Sequence, residues 1–142
     1  MAATVRKILL AAVVSAATLA ADQAHDVLRA INHVATALTG GNPADAMIPF
    51  DKSCPNYTSL QDDFIGLTGG YQLSNEADVA DEADSPTETT LTLQWTLSLT
   101  NKSTSENLTR KAKIHVRLRN ESGKWKIVDF SPVDFFNLSA KQ

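Results

Sequence analysis

Two hydrophobic periods divide the chain. From Asp22 to Thr39 the apolar residues Val27, Leu28, Ile31, Val34, Ala35 and Leu38 recur at helical spacing, with Gln23, Asp26, Arg29, Asn32 and Thr36 on the other side. That pattern predicts an amphipathic helix stopped by Gly40-Gly41. Asn42-Pro43 supplies a good cap and first residue for a short helix over Pro43–Ile48, ended by Pro49. A loop over Phe50–Asn56 leads to a third helix, in which Tyr57, Leu60, Phe64 and Leu67 share a side. Thr58-Ser59-Leu60-Gln61 has the form of a capping box at its start, and Gly69-Gly70 closes it.

From Tyr71 the period becomes two. Leu73, Ala77 and Val79 alternate weakly with Ser74, Glu76 and Asp78. The clearest strand is Thr90–Thr100, where Leu91, Leu93, Trp95, Leu97 and Leu99 face one way and Thr92, Gln94, Thr96 and Ser98 the other. Leu108–Arg119 and Lys124–Phe130 follow, with turns at Ser85-Pro86-Thr87, Asn101–Glu106 and Asn120–Gly123. Short connections between alternating strands imply an antiparallel meander with one face under the helices and the other polar. The expected class is α+β: N-terminal helices on a bent antiparallel sheet.

The last turn permits a register. Read as a three-residue loop ending in a left-handed Gly123, Asn120-Glu121-Ser122-Gly123 pairs Asn120 with Lys124. Val116 then faces Val128 and Ile114 faces Phe130 on the apolar side, while Arg119 meets Trp125, Arg117 meets Ile127 and His115 meets Asp129 on the other.

The first residues add a compartment. Arg6-Lys7, an apolar run from Ile8 to Ala17 broken only by Ser15, and Thr18-Leu19-Ala20-Ala21 have the order of a cleavable export signal. The alternative is a buried N-terminal helix. The run is too short to span a bilayer core of ~30 Å, so no stable membrane span is expected after cleavage. Residues 1–21 are thus read as a signal peptide and 22–142 as one domain of a secreted or periplasmic protein. The net charge of -3 disfavours nucleic-acid binding. Cys54 is the single cysteine, so no internal disulfide can form; it is either a buried thiol or an intermolecular or reactive one. Asn56, Asn101, Asn107, Asn120 and Asn137 stand in Asn-x-Ser/Thr sequons, which are accidents of a Ser/Thr-rich chain or glycan acceptors.

Three helices, a long meander and the closing strand Gly123-Lys124-Trp125-Lys126-Ile127-Val128-Asp129-Phe130 resemble the nuclear transport factor 2-like superfamily, with its SnoaL-like and cystatin-like α+β cones. Phe50-Asp51 and the Tyr57 helix start are similar too, and the resemblance covers nearly all of residues 22–142. It implies a bent sheet wrapped around the first helix, a pocket between sheet and helices, and dimers that meet through the sheet. It implies no single function, since isomerases, dehydratases, polyketide cyclases, transport factors and interaction domains share the fold. The enzymes of the group place Asp, His or Tyr inside the pocket. Here the apolar strand faces offer few such residues.

The candidate sites follow. Tyr57, Phe64 and Trp95 are either core or the wall of a pocket for a flat apolar ligand. His115 and Asp129, if opposed, are a surface pair or the proton acceptor of a small isomerase, dehydratase or cyclase. His25 and His33 lie eight residues apart, wider than a helical metal pair needs, and the acidic stretch Glu76, Asp78, Asp81, Glu82, Asp84 lacks the spacing of a calcium loop. No metal and no cofactor is expected. Arg117, Trp125 and Ile127 on one face suggest a homodimer contact. The leading expectation is an exported small-ligand-binding or protein-interaction domain; the alternative is the pocket enzyme.

Overall fold

The computed structural model describes residues 22–138; the export signal expected over residues 1–21 lies outside the described residues. Three helices pack against a four-stranded antiparallel sheet of order β1-β2-β3-β4. Helix α1 spans residues 22–39 and buries Val27, Ile31, Val34, Ala35 and Leu38, as its spacing predicts, while Leu28 sits at the edge of the stripe. Gln23 donates to the Ser85 carbonyl and to Thr89 Oγ1, each at 2.8 Å, and at the other end Thr39 Oγ1 accepts from the Asn75 amide at 3.1 Å. These ties lay α1 along the concave face of the sheet.

Helix α2, Pro43–Ala46, starts as expected: the Asn42 side chain accepts from the Asp45 amide at 3.2 Å and Pro43 stands in the first turn. The chain then runs alongside the free edge of the sheet. The Asp51 amide donates to the Ile127 carbonyl at 2.9 Å and the Ile127 amide to the Pro49 carbonyl at 2.8 Å, which covers an edge that would otherwise present bare backbone. Helix α3, Tyr57–Gly70, begins one residue before the expected capping box. Its cap is Asn56, left-handed at φ 62° and making no side-chain cap bond. No loop separates α3 from the sheet.

Strands β1 (Tyr71–Asp84), β2 (Glu88–Asn101), β3 (Asn107–Glu121) and β4 (Lys124–Ser131) form the meander. In β2 the odd-numbered residues Leu91 to Leu99 are buried and the even-numbered ones lie outward. A bulge at Ala80 breaks the β1 ladder, and the last residues of β1, 81–84, are exposed while still paired with β2.

The β3–β4 hairpin departs from the expected register. The loop has two residues, Ser122 at φ 55° and Gly123 at φ 87°, and Glu121 pairs with Lys124. Two consecutive positive φ angles are the signature of a turn whose twist matches that of the strands. Asn120 therefore pairs with Trp125 rather than with Lys124, and Leu118 with Ile127. A second irregularity follows: Val128 is an extra residue, after which Arg117 pairs with Asp129 and Val116 with Phe130. The bulge reverses the alternation of β4. Before it, Ile127 faces the core; after it, Phe130 faces the core and Asp129 turns outward.

One further element closes the domain. A 3-10 turn, Val133–Phe136, sends Phe135 and Phe136 into the core. Arg110, almost fully buried, donates from Nη1 to the carbonyls of Phe135 and Asn137, both at 3.0 Å.

Candidate functional site

A cone of helices and sheet would carry its chemistry at its centre. That centre is occupied by side chains. Trp95, Phe64, Phe130 and Phe136 have no more than 1% of their surface exposed. Phe136 stands edge-on to Trp95 at 5.5 Å between centroids and to Phe64 at 5.2 Å, and Phe50 and Phe130 meet at 5.3 Å. Edge-to-face contacts at these separations fill space while satisfying the ring quadrupoles. The Trp95 indole N–H donates to Asn75 Oδ1 at 3.0 Å. The only buried polar or charged residues among those described are Thr68, Thr89 and Arg110, and the Thr68 hydroxyl donates to the Phe64 carbonyl at 2.8 Å. Among the described residues no Asp, Glu, His or Tyr is fully buried, although Tyr57 and Tyr71 pack against the edge of the core.

The expected sites sort themselves against this. Phe64 and Trp95 are core. Tyr57 is half-buried and lines an outer groove of about 560 Å³ with Met47, Phe50 and Lys52. His115 and Asp129 do not oppose each other: His115 pairs with Ser131 and its Nδ1 stands 3.3 Å from Thr92 Oγ1, while Asp129 pairs with Arg117. The one-residue shift of the hairpin and the Val128 bulge together separate them. The same shift divides the expected dimer patch. Arg117 is outward, whereas Ile127 is fully buried and Trp125 points to the helix side. Cys54 is buried, and burial, followed by the charges of Asp129 and Asp51, pushes its thiol up to about 11. A thiol so raised is a poor nucleophile.

Other side chains hold structure. His33 Nε2 lies 3.2 Å from Asp45 Oδ1, tying α1 to α2, and His25 is exposed far from it. Among the described residues no three His, Cys, Asp or Glu side chains come together as a metal site would require. Asn101 Oδ1 accepts from the Ser103 and Thr104 amides, and Asn120 Oδ1 from the Gly123 amide, so both sequon asparagines shape turns. Serine 53 holds Asp51 below the usual carboxylate range through hydrogen bonds from its side chain and its amide.

Two surface features remain. The first is a groove of about 490 Å³ between α1 and the tip of the β3–β4 hairpin, with Trp125, Ile48 and Arg29 among its walls. The second is the convex face of the sheet. Across it, the pairing aligns Glu76–Thr96–Lys111, Asp78–Gln94–Lys113 and Asp81–Thr92–His115. Each row runs acid, neutral, base. Within one chain acid and base are two strand spacings apart, about 10 Å, and none of Glu76, Asp78, Asp81, Lys111 and Lys113 makes a salt bridge among the described residues. At the far end of β1, Glu82 is raised by its hydrogen bond with Asp84, then by partial burial and by the Asp84 charge. Sequence reading found the acidic stretch but not its row-by-row alignment with Lys111, Lys113 and His115, which only the β1–β2–β3 register supplies. It missed the role of Phe135-Phe136, whose signal is an aromatic pair soon after a proline.

No family model and no curated protein matches the chain. Solved structures do. A protein from Novosphingobium aromaticivorans named for scytalone dehydratase superposes with a TM-score of 0.72 at 12% identity, covering 80% of this chain and 85% of its own. A ketosteroid isomerase-like protein from Erwinia carotovora atroseptica gives 0.62 at 12% identity, with 75% and 91% covered. A structure from Xanthomonas campestris named for the association domain of calcium/calmodulin dependent protein kinase II gives 0.58 at 16% identity, with 73% and 81% covered. The order of elements, the antiparallel meander and these superpositions agree: the chain has the nuclear transport factor 2-like, cystatin-like fold.

Proposed function

We propose that the protein is an exported, non-catalytic association domain that pairs with a second copy of itself through the convex face of its sheet. The observation that carries this reading is the filled cone. An isomerase, dehydratase or cyclase needs a cavity that admits substrate and a titratable group inside it. Here aromatic rings occupy that space, and Asp129 and His115 lie outside it and apart. The likeness to an association domain is consistent with the reading, and the order of residues 6–21 supports export.

The charge rows favour one geometry. Two sheets stacked face to face are related by a two-fold axis lying in the plane between them. An axis perpendicular to the strands puts β1 over β1, acid against acid. An axis parallel to β2 puts β1 of one protomer over β3 of its partner. Glu76 then faces Lys111, Asp78 faces Lys113 and Asp81 faces His115, each twice. The Thr and Gln side chains of β2 lie along the axis and supply hydrogen bonds. Such an interface is polar, so its pairs draw their strength from number and exclusion of water rather than from apolar area.

The test is mass by sedimentation equilibrium on residues 22–142 at low salt. The wild type is expected to be dimeric at micromolar concentration. The pair Asp78→Lys/Glu76→Lys and the pair Lys111→Glu/Lys113→Glu are each expected to be monomeric. Combining all four restores the attraction with reversed sign and should restore the dimer. A monomeric wild type at high micromolar concentration, or a combined variant that stays monomeric, ends the proposal.

A further inference from the structure

The groove between α1 and the hairpin tip combines three properties that point to a ligand. Its volume, about 490 Å³, lies in the range of small-molecule sites and is larger than a bare inorganic anion needs. Its walls include apolar surface that the fold leaves incompletely covered: the half-buried Trp125 and Ile48, which is 58% exposed. Its rim is basic. Arg29, Lys124 and Lys126 line it against one carboxylate, Asp26, on a chain whose net charge is -3.

Those cations are only lightly engaged. The Lys124 side chain makes no hydrogen bond or ion pair among the described residues, and Arg29 reaches Asp26 only at 4.0 Å with its side chain 69% exposed. Lys126 is different: its Nζ donates to the Ile48 carbonyl at 2.8 Å, which fixes a positive charge beside the apolar wall. His33 is held by Asp45 at the back. The position of Trp125 follows from the two-residue hairpin, which turns it to the helix side, where α1 no longer covers it completely.

We infer that this groove binds a small aromatic carboxylate. A flat ring stacks on the Trp125 indole, and Ile48 and Ala30 bury its edge. The carboxylate lies toward Lys124 and Arg29, whose donors suit it. An uncharged ring leaves the basic rim unused, and a free anion leaves the indole and Ile48 wet; the combination uses both. None of the lining residues belongs to the three charged rows of the convex face, so binding here and self-association there stand or fall separately.

The test is titration of isotope-labelled protein (residues 22–142) with 1-naphthoate, followed by the two indole N–H resonances. Trp95, whose N–H is held by Asn75, serves as an internal control. The Trp125 signal is expected to shift saturably with a dissociation constant on the order of 1 mM or tighter, as a ligand of this size permits. The neutral analogue 1-naphthalenemethanol should bind about threefold more weakly or worse, and Lys124→Gln should remove about the same factor for the carboxylate alone. Both effects would be reduced by salt. A Trp125 signal that does not saturate by about 10 mM overturns the inference, as does equal affinity for the neutral analogue. Movement of the Trp95 signal instead would place the ligand in the cone, which overturns both this site and the filled-cone reading.

Discussion

At the scale of single residues, the centre of the molecule depends on a polar contact inside an aromatic cluster. The Trp95 indole N–H is buried and bonded to Asn75 Oδ1. Without Asn75 the donor loses its partner while its ring stays packed. Asn75→Ala is expected to cost about 2 kcal/mol in urea unfolding, and much less in a Trp95→Phe background that has no donor to satisfy. Cys54 provides a second check. Its folded thiol titrates at about 11 against an ordinary 9.0. The unfolded chain therefore loses this proton first. Stability from the neutral thiol is intact below pH 9.0 and is lost as pH rises toward 11. Cys54→Ala should show a shallower fall in stability across that window than the wild type. The result is read from unfolding curves at stepped pH.

At the scale of elements, the β3–β4 hairpin decides most of what sequence reading misplaced. Asn120-Glu121-Ser122-Gly123 is compatible with a two-residue or a three-residue loop, since Gly123 suits the left-handed region in both. The two choices send Trp125 and Ile127 to opposite faces. Apolar content argues for the observed one: it buries Ile127 beside Leu118, and the consecutive apolar pair Ile127-Val128 marks the bulge that then lets Phe130 turn inward. Because Gly123 has φ 87°, Gly123→Ala is expected to destabilise by about 1 kcal/mol. Ser122, at φ 55°, pays for a conformation that asparagine adopts more readily, so Ser122→Asn should raise the melting temperature. An Ala variant as stable as the wild type would contradict the two-residue turn. The acidic and basic edges show the same dependence on register. As composition they are two solvated strands; aligned by pairing they become rows.

At the scale of the whole molecule, aromatic side chains fill the cone interior and the charged rows lie on the convex face. Self-association through the charged rows implies a particular salt response. Attraction between charges is screened within about 8 Å at physiological ionic strength, whereas apolar contact is not. A dimer present at low salt should therefore weaken steadily as salt is added, whereas one held by apolar area would not. Sedimentation equilibrium over a salt series separates the two. What the sequence determined by itself is what depends on local period and local capping: the amphipathic α1, the α2 start at Asn42-Pro43, the alternating β2 and β3, the antiparallel order, and hence the fold. Long-range fit settles the rest. Whether the cone holds a ligand or side chains turns on Phe135 and Phe136 returning from the far end of the chain, held by Arg110. Which residues share the faces of β4 turns on one extra residue at Val128. Local pattern is blind to both, because the free energy that selects them comes from packing between segments far apart in sequence.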